Sequence, residues 1–427
     1  MRIISDLINA KILWGPASLI FISYTGMLLS VRSGFVQLRQ FAPAVKNLFC
    51  VSDGRNRGDV LRSFFTSLGG SIGIGNISGV CFALAAGGPG SIFWMIFSSF
   101  FGMALKYSEN VLGVKYRRQE NGVFKGGPMY YMGEIFSGKT AGVLFALSGV
   151  LVSFGMGNMS QSAAMISSVR HLCGVYGMEI SSVLAGAALS VVIYICIKGG
   201  FKRISGISTV TVPLMSVVFI FMCAAVLIKN IRLLPGVCSL IFKNIFSLKA
   251  ASAGISKAVF SNEAGLGTSA IAHACAPDGN IEAHGKAGII EVFTDTVLMC
   301  TVTALTVLVC PEAGVNELSL AAAWNSFFPA KAASFIYAVC VILFACSSML
   351  PWAHYGESCF SYLFGRKYSK LYIIIFAAFT FLGAVMNMTN IMILSDTFNG
   401  IMMLINVLAL YRFRREPELN YRRLKIL

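Results

Sequence analysis

The stretch Gly69-Gly70-Ser71-Ile72-Gly73-Ile74-Gly75-Asn76-Ile77-Ser78-Gly79 lies inside an apolar run that extends from about residue 60 to residue 86. Each glycine in a helix interior costs about 1 kcal/mol relative to alanine, so five glycines in this stretch predict an unwound segment rather than a continuous helix. Bare backbone N–H and C=O groups at membrane depth are tolerated only where they line a polar cavity or are covered by protein. Such groups then become ligands. Asn76 strengthens that reading over simple close packing of small residues, because its amide offers an oxygen to a cation and N–H donors to a carboxylate. The glycine spacing, G-x-G-x-x-x-G with no strand following, is not that of a dinucleotide-binding loop.

The rest of the chain supplies the membrane. Of 427 residues, 56% are hydrophobic and 12% charged, and the mean hydropathy is +0.75. A soluble domain carries about twice that share of charge, so the composition excludes a cytosolic enzyme and predicts a polytopic membrane protein. Apolar runs between residues 12 and 411 predict eleven spans, the first continuing through Leu29 as a retained helix rather than a cleaved signal. Lysine and arginine outnumber aspartate and glutamate, 34 to 18. On the eleven-span count the basic residues favour one set of connections by roughly three to one, which predicts an N-terminus outside and a C-terminus in the cytoplasm. The basic tail Arg412, Arg414, Arg415, Arg422, Arg423 and Lys425 then lies near anionic lipid. The cysteines fall mostly in apolar runs without a CxxC pair and read as reduced packing residues. With four histidines and no metal-ligand spacing, no structural metal or cofactor is expected.

A second stretch, Phe260-Ser261-Asn262-Glu263-Ala264-Gly265-Leu266-Gly267-Thr268-Ser269, breaks the seventh expected span. A carboxylate at membrane depth costs at least about 2.5 kcal/mol, so Glu263 is functional or paired, with Lys257 as a possible partner. Spans 2 and 7 are five apart. Gly-interrupted segments at matching places in two five-span halves are the sign of an inverted-repeat transporter with its site at mid-membrane. The expected organisation is residues 1–59 as a first helix and cytoplasmic loop, 60–230 and 231–411 as the two five-helix repeats, and 412–427 as the basic tail.

Several further blocks carry a resemblance. Gly87-Gly88-Pro89-Gly90-Ser91-Ile92-Phe93-Trp94-Met95, Gly126-Gly127-Pro128-Met129-Tyr130-Tyr131-Met132, Ile271-Ala272-His273-Ala274 after the second stretch, and Asp396-Thr397-Phe398-Asn399-Gly400 fall in the order of the alanine or glycine:cation symporter family. The chain resembles that family from about residue 60 to residue 410. The resemblance implies an all-α, leucine-transporter-like architecture of two inverted five-helix repeats with discontinuous helices, and a sodium-coupled importer of small neutral amino acids (alanine, glycine or serine) in the inner membrane. It places substrate contacts at Gly73, Gly75, Asn76, Gln161, Ser348 and Trp352, beside Phe260 and Glu263 of the second stretch. By analogy, sodium would sit among Gly69, Ile72, Ser347 and Ser348. Ile74, Ala163 and Ile405 stand where the resemblance implies threonine, asparagine and proline, and Lys257 where it implies arginine, so the substrate's identity is the least constrained expectation.

These residue types suit the task. A zwitterion needs donors for its carboxylate and acceptors for its ammonium, which half-helix ends supply without a full protein charge. Sodium is a hard cation that takes hydroxyl and carbonyl oxygens. A membrane enzyme would want a nucleophile beside a base or an HExxH metal pair, and neither pattern occurs. The rival within transport is proton coupling, with Glu263 or His273 titrating.

Overall fold

A computed structural model of the chain describes residues 9–49, 55–120, 122–136, 138–310, 318–386, 389–416 and 419. The molecule is almost entirely helical. Its principal helices are α1 (Pro16–Arg32), α2 (Arg55–Ser71), α3 (Ser78–Gly87), α4 (Ser91–Lys115), α5 (Thr140–Phe154), α6 (Ser160–Val175), α7 (Ser182–Ile197) and α8 (Gly200–Lys229). They continue with α9 (Leu248–Asn262), α10 (Thr268–Ala274), α11 (Ile281–Val292), α12 (Thr301–Leu308), α13 (Ala330–Phe364), α14 (Ser369–Val385) and α15 (Thr389–Arg412). One short antiparallel hairpin, β1 (Arg118–Glu120) and β2 (Val123–Lys125), turns at Gly122, whose φ of 75° suits a residue without a Cβ.

Helix α8 shows how the lipid phase selects the surface. Ser208, Val212, Met215, Phe219, Cys223 and Val226 are buried at helical spacing, while Val210, Val217, Phe221 and Ile228 on the opposite face are each 67–68% exposed. A helix apolar all round, with one face open, is covered by hydrocarbon rather than water.

The structure corrects the expected span count. Among the described residues five helical segments are long and apolar enough to cross a membrane: Thr140–Val175, Gly200–Lys229, Ile281–Leu308, Ala330–Phe364 and Arg366–Val385. The total reaches seven when two bent pairs, α3 with α4 at 117° and Ile231–Lys243 with α9 at 107°, are each taken as one span. The sequence count of about eleven took each apolar run as one full crossing. In the fold, turns and glycine breaks cut several runs into pieces such as α7, whose 16 residues are shorter than the roughly 20 of a full crossing. The five-plus-five inverted repeat of leucine-transporter type, which rested on that count, falls with it.

Two of the long segments carry a wide turn in mid-course. Gly155–Met159 joins α5 to α6 and Phe293–Cys300 joins α11 to α12, each as a π-helical stretch. Such turns displace one backbone bond and mark functional regions more often than plain helix does. Phe293–Cys300 lies against the broken helices described next, and Met156 of the other turn lines the cavity between them.

Candidate functional site

The chain leaves helical form at both quoted stretches. Helix α2 ends at Ser71, Gly73 is extended, Ile74–Asn76 forms a single 3-10 turn, and α3 starts at Ser78. Asn76 holds this gap in shape. Its Oδ1 accepts the Gly73 N–H at 3.1 Å, and its Nδ2 donates to the Asp295 Oδ1 at 2.8 Å and the Asp295 carbonyl at 3.2 Å. The Asp295 carboxylate also accepts the Thr296 hydroxyl at 2.8 Å. Asn76 is fully buried with its amide engaged, so it shapes the gap from behind.

The second gap separates α9 from α10. Glu263 adopts φ 55°, rare for a residue with a Cβ, and Gly265 and Gly267 follow at φ 95° and 80°. The Glu263 carboxylate accepts the Trp352 indole N–H at 3.0 Å and the Thr268 hydroxyl at 2.5 Å. Lys106, fully buried on α4, donates to the Asn262 carbonyl at 3.0 Å, which satisfies the end of α9. On the far side, Glu109 accepts from the Gly267 N–H at 3.0 Å and from Asn406 at 2.7 Å. Tyr131 closes this network through its hydroxyl to Asn406.

Between the gaps lies a cavity of about 340 Å³, large enough for a small organic solute. Of the residues expected at the substrate site, Gly73, Gly75, Gln161, Phe260, Glu263 and Ser348 line it. Asn76 and Trp352 stand behind the wall, and Trp352 packs so tightly that a methyl on Gly157 would lie 2.5 Å from its ring. Gln161 accepts the Ile74 N–H at 3.4 Å, linking α6 to the first gap.

The residues expected around a cation also come together. The Ser347 hydroxyl donates to the Ile72 carbonyl at 3.4 Å and the Ser348 hydroxyl to the Gly70 carbonyl at 3.0 Å. Gly69 lies alongside, where a Cβ would be 3.0 Å from the Ser347 carbonyl oxygen. Gly70 thus joins this oxygen set in addition to Gly69.

Two charged residues that sequence reasoning left out of the site stand in the cavity wall. Lys257 lies with its ammonium against Gly75 and Gly79, where added methyl groups would be 3.2 and 2.1 Å from Nζ, and 5.1 Å from the Phe260 ring centroid. Asp396 lines the same cavity. Among the described residues neither forms an ion pair. Lys257 therefore does not neutralise Glu263, the pairing the sequence left open. A lysine within an apolar run and an aspartate 16 residues before the basic tail were the available signals, but nothing in the linear order joined them. A further buried group, His273, bonds the Glu291 carboxylate through Nε2 at 2.7 Å and His284 through Nδ1 at 2.7 Å. Ser67 and Ser269 donate to the other Glu291 oxygen at 2.6 and 2.8 Å.

The cavity has a direction. Helix α4 runs from Ser91 to Lys115, about 37 Å at 1.5 Å per residue. Lys115 pairs with Glu416 beside the basic tail, whereas Ser91 adjoins α3 and α9 at the opposite end. The lining continues along α3 to Ala86 and along α9 to Ala253, toward that opposite end. Toward the tail it is shut by the Glu263, Trp352, Glu109 and Asn406 contacts.

A membrane protein whose interrupted helices flank a largely apolar cavity with charged residues in its wall belongs to the class of solute transporters. This chain belongs to the sodium:alanine symporter family, which it matches over residues 1–417. It is 34% identical to an uncharacterised transporter of Haemophilus influenzae, over 97% of this chain and 95% of that one. It is also 34% identical to the sodium/alanine symporter AgcS of Methanococcus maripaludis, over 93% and 91%. A probable sodium/glutamine symporter, GlnT of Bacillus subtilis, is 29% identical over 94% of this chain and 86% of its own length. Among solved structures, the fold is similar to that of a manganese transporter from Eremococcus coleocola, with a TM-score of 0.52 at 14% identity over 84% of this chain and 78% of that one.

Proposed function

We propose that the protein is a secondary active transporter that imports a small neutral amino acid together with sodium across the inner membrane. The observation that carries this reading is the cavity between the two helix gaps, whose wall holds the Lys257 ammonium and the Asp396 carboxylate, neither of them in an ion pair among the described residues. Lys257 and the N–H groups entering α3 suit the substrate carboxylate, and Asp396 suits its ammonium. Phe260 and the alanines of α3 leave an apolar wall for a short side chain. The oxygens of Gly69, Gly70, Ile72, Ser347 and Ser348 suit the sodium ion. Alanine fits this description and is the solute for which the relative AgcS is named; serine and glycine are the natural competitors.

The orientation follows from charge. Arg32 at the end of α1 donates to the Arg414 carbonyl at 3.3 Å, and Arg412 stacks on Phe136 at 4.9 Å, with Arg118 and Lys125 of the hairpin at the same end. Basic residues gathered at one end mark the cytoplasmic side, so the start of α1 faces outward and the cavity is reached from outside. The proton-coupled alternative has no support from the placement of Glu263, whose carboxylate oxygens are both hydrogen-bonded.

The test is uptake of radiolabelled alanine into proteoliposomes under an inward sodium gradient, with unlabelled amino acids as competitors. Sodium-dependent uptake that falls at least tenfold in Lys257→Met and recovers in Lys257→Arg is the expected result. Uptake that ignores sodium and collapses with the proton gradient overturns it.

A further inference from the structure

Near the basic end of the molecule, outside the cavity, three side chains stand in the order of a nucleophile, a base and an orienting carboxylate. Cys275, the residue that caps α10, places Sγ 3.4 Å from His354 Nε2. The other ring nitrogen of His354, buried and without a hydrogen-bond partner among the described residues, faces Glu357 Oε2 at 3.8 Å. Glu357 is held in turn by the Ser369 hydroxyl, which donates to Oε1 at 2.5 Å. Phe201 covers the imidazole at 4.8 Å between ring centroids. Arg117 adds positive charge next door, donating to the carbonyls of Ala276 at 2.5 Å and Asp278 at 3.0 Å. A thiol beside a histidine and a guanidinium, with partial exposure, has the surroundings of a reactive cysteine. Cys275 is half-buried and precedes the exposed turn at residues 277–280, whereas Cys81, Cys223, Cys300, Cys340 and Cys359 are buried.

We propose that Cys275 is a thiol-modification site, activated by His354 and Glu357, that takes up a low-molecular-weight disulfide, and that the adduct arrests transport. The Cys275 thiol gives its proton to His354 Nε2, and the thiolate attacks one sulfur of the disulfide RSSR. A Cys275–SR bond forms, the RS–SR bond breaks, and the departing RS⁻ takes the proton from His354, so one disulfide and one thiol go in and one of each comes out. A methyl group on Gly126 would lie 2.6 Å from the Ala274 Cβ, and one on Gly127 would lie 2.6 Å from Ile271, so α10 is already in close contact along the face that leads to Cys275. Bulk added at the end of this tightly packed helix is expected to displace α10, the half-helix that carries Thr268 beneath Glu263.

The test uses the full chain in detergent and in proteoliposomes. Iodoacetamide alkylation at neutral pH, followed site by site by mass spectrometry, is expected to label Cys275 about tenfold faster than the exposed Cys238. His354→Gln, and independently Glu357→Gln, are expected to slow Cys275 several-fold while leaving Cys238 unchanged and the buried Cys223 and Cys359 unlabelled, the last reporting that the fold is intact. Oxidised glutathione is expected to slow sodium-driven uptake in the wild type, reversibly with dithiothreitol, and to leave Cys275→Ser unaffected. Equal labelling of Cys275 and Cys238, labelling unchanged in both variants, or uptake equally sensitive in Cys275→Ser each overturns the proposal. The alkylation result stands whether or not alanine is the substrate.

Discussion

At Gly79 a single hydrogen in place of a methyl group decides where a charge sits. An added Cβ would lie 2.1 Å from the Lys257 ammonium and 2.6 Å from its Cε, so the two cannot share the space. The obstacle is the far end of a flexible side chain, so Gly79→Ala is expected to leave thermal stability close to wild type while moving the ammonium off the α3 entry. Binding of alanine should weaken about tenfold with little change in Tm. Equal affinity in the variant would remove Lys257 from substrate recognition. Glu263 illustrates the converse, a charge fixed by its partners: the sequence marks it as functional or paired, and in the fold both oxygens are taken by Trp352 and Thr268. The carboxylate was legible because a charge in an apolar run is costly. Its partners were not, since Trp352 is 89 residues away.

Among elements, the two helix gaps are where sequence and structure meet most directly. Glycine density predicts the first gap through elementary backbone entropy, and the gap occurs where the glycines lie. What stabilises it could not be read off the chain. Asn76 was expected to face the solute, but it ties Gly73 to Asp295 on the π-helical stretch after α11. Breaking that tie leaves a buried carboxylate short of a donor, which costs about 1–3 kcal/mol. Asn76→Ala is therefore expected to lower stability by about that amount, and a double-mutant cycle with Asp295→Asn to give a coupling of at least about 0.5 kcal/mol. Additive stabilities by thermal unfolding would mean that the gap is held by other contacts. Because the gap positions the Ile72 carbonyl, one of the oxygens proposed to hold sodium, the same variant should also weaken sodium binding.

For the whole molecule, the gathering of Arg32, Arg412 and Arg414 at one end sets the orientation proposed above. A fluorescent protein fused to the C-terminus is expected to fluoresce, and an alkaline phosphatase fusion at the same place to be inactive. The opposite pair of results would reverse the direction in which the cavity opens. One sodium ion crossing 100 mV releases about 2.3 kcal/mol, and a tenfold sodium gradient adds about 1.4 kcal/mol. Together these support roughly 500-fold accumulation of substrate at one-to-one coupling.

Composition and glycine placement alone determined that the chain lives in a membrane, that it interrupts its helices at two places, and that a polar solute was to be sought there. These are local properties, set by transfer free energy and backbone entropy residue by residue. The number of full crossings was a tertiary matter, because a run of apolar residues does not reveal where it bends, and two of the bends exceed 100°. So was the content of the cavity wall. Lys257 and Asp396 face one space only because α9 and α15 pack around the same gap, and Cys275 meets His354 only because α10 ends against α13. Proximity between distant segments is paid for by packing over the whole fold, and the linear order of residues carries no record of it.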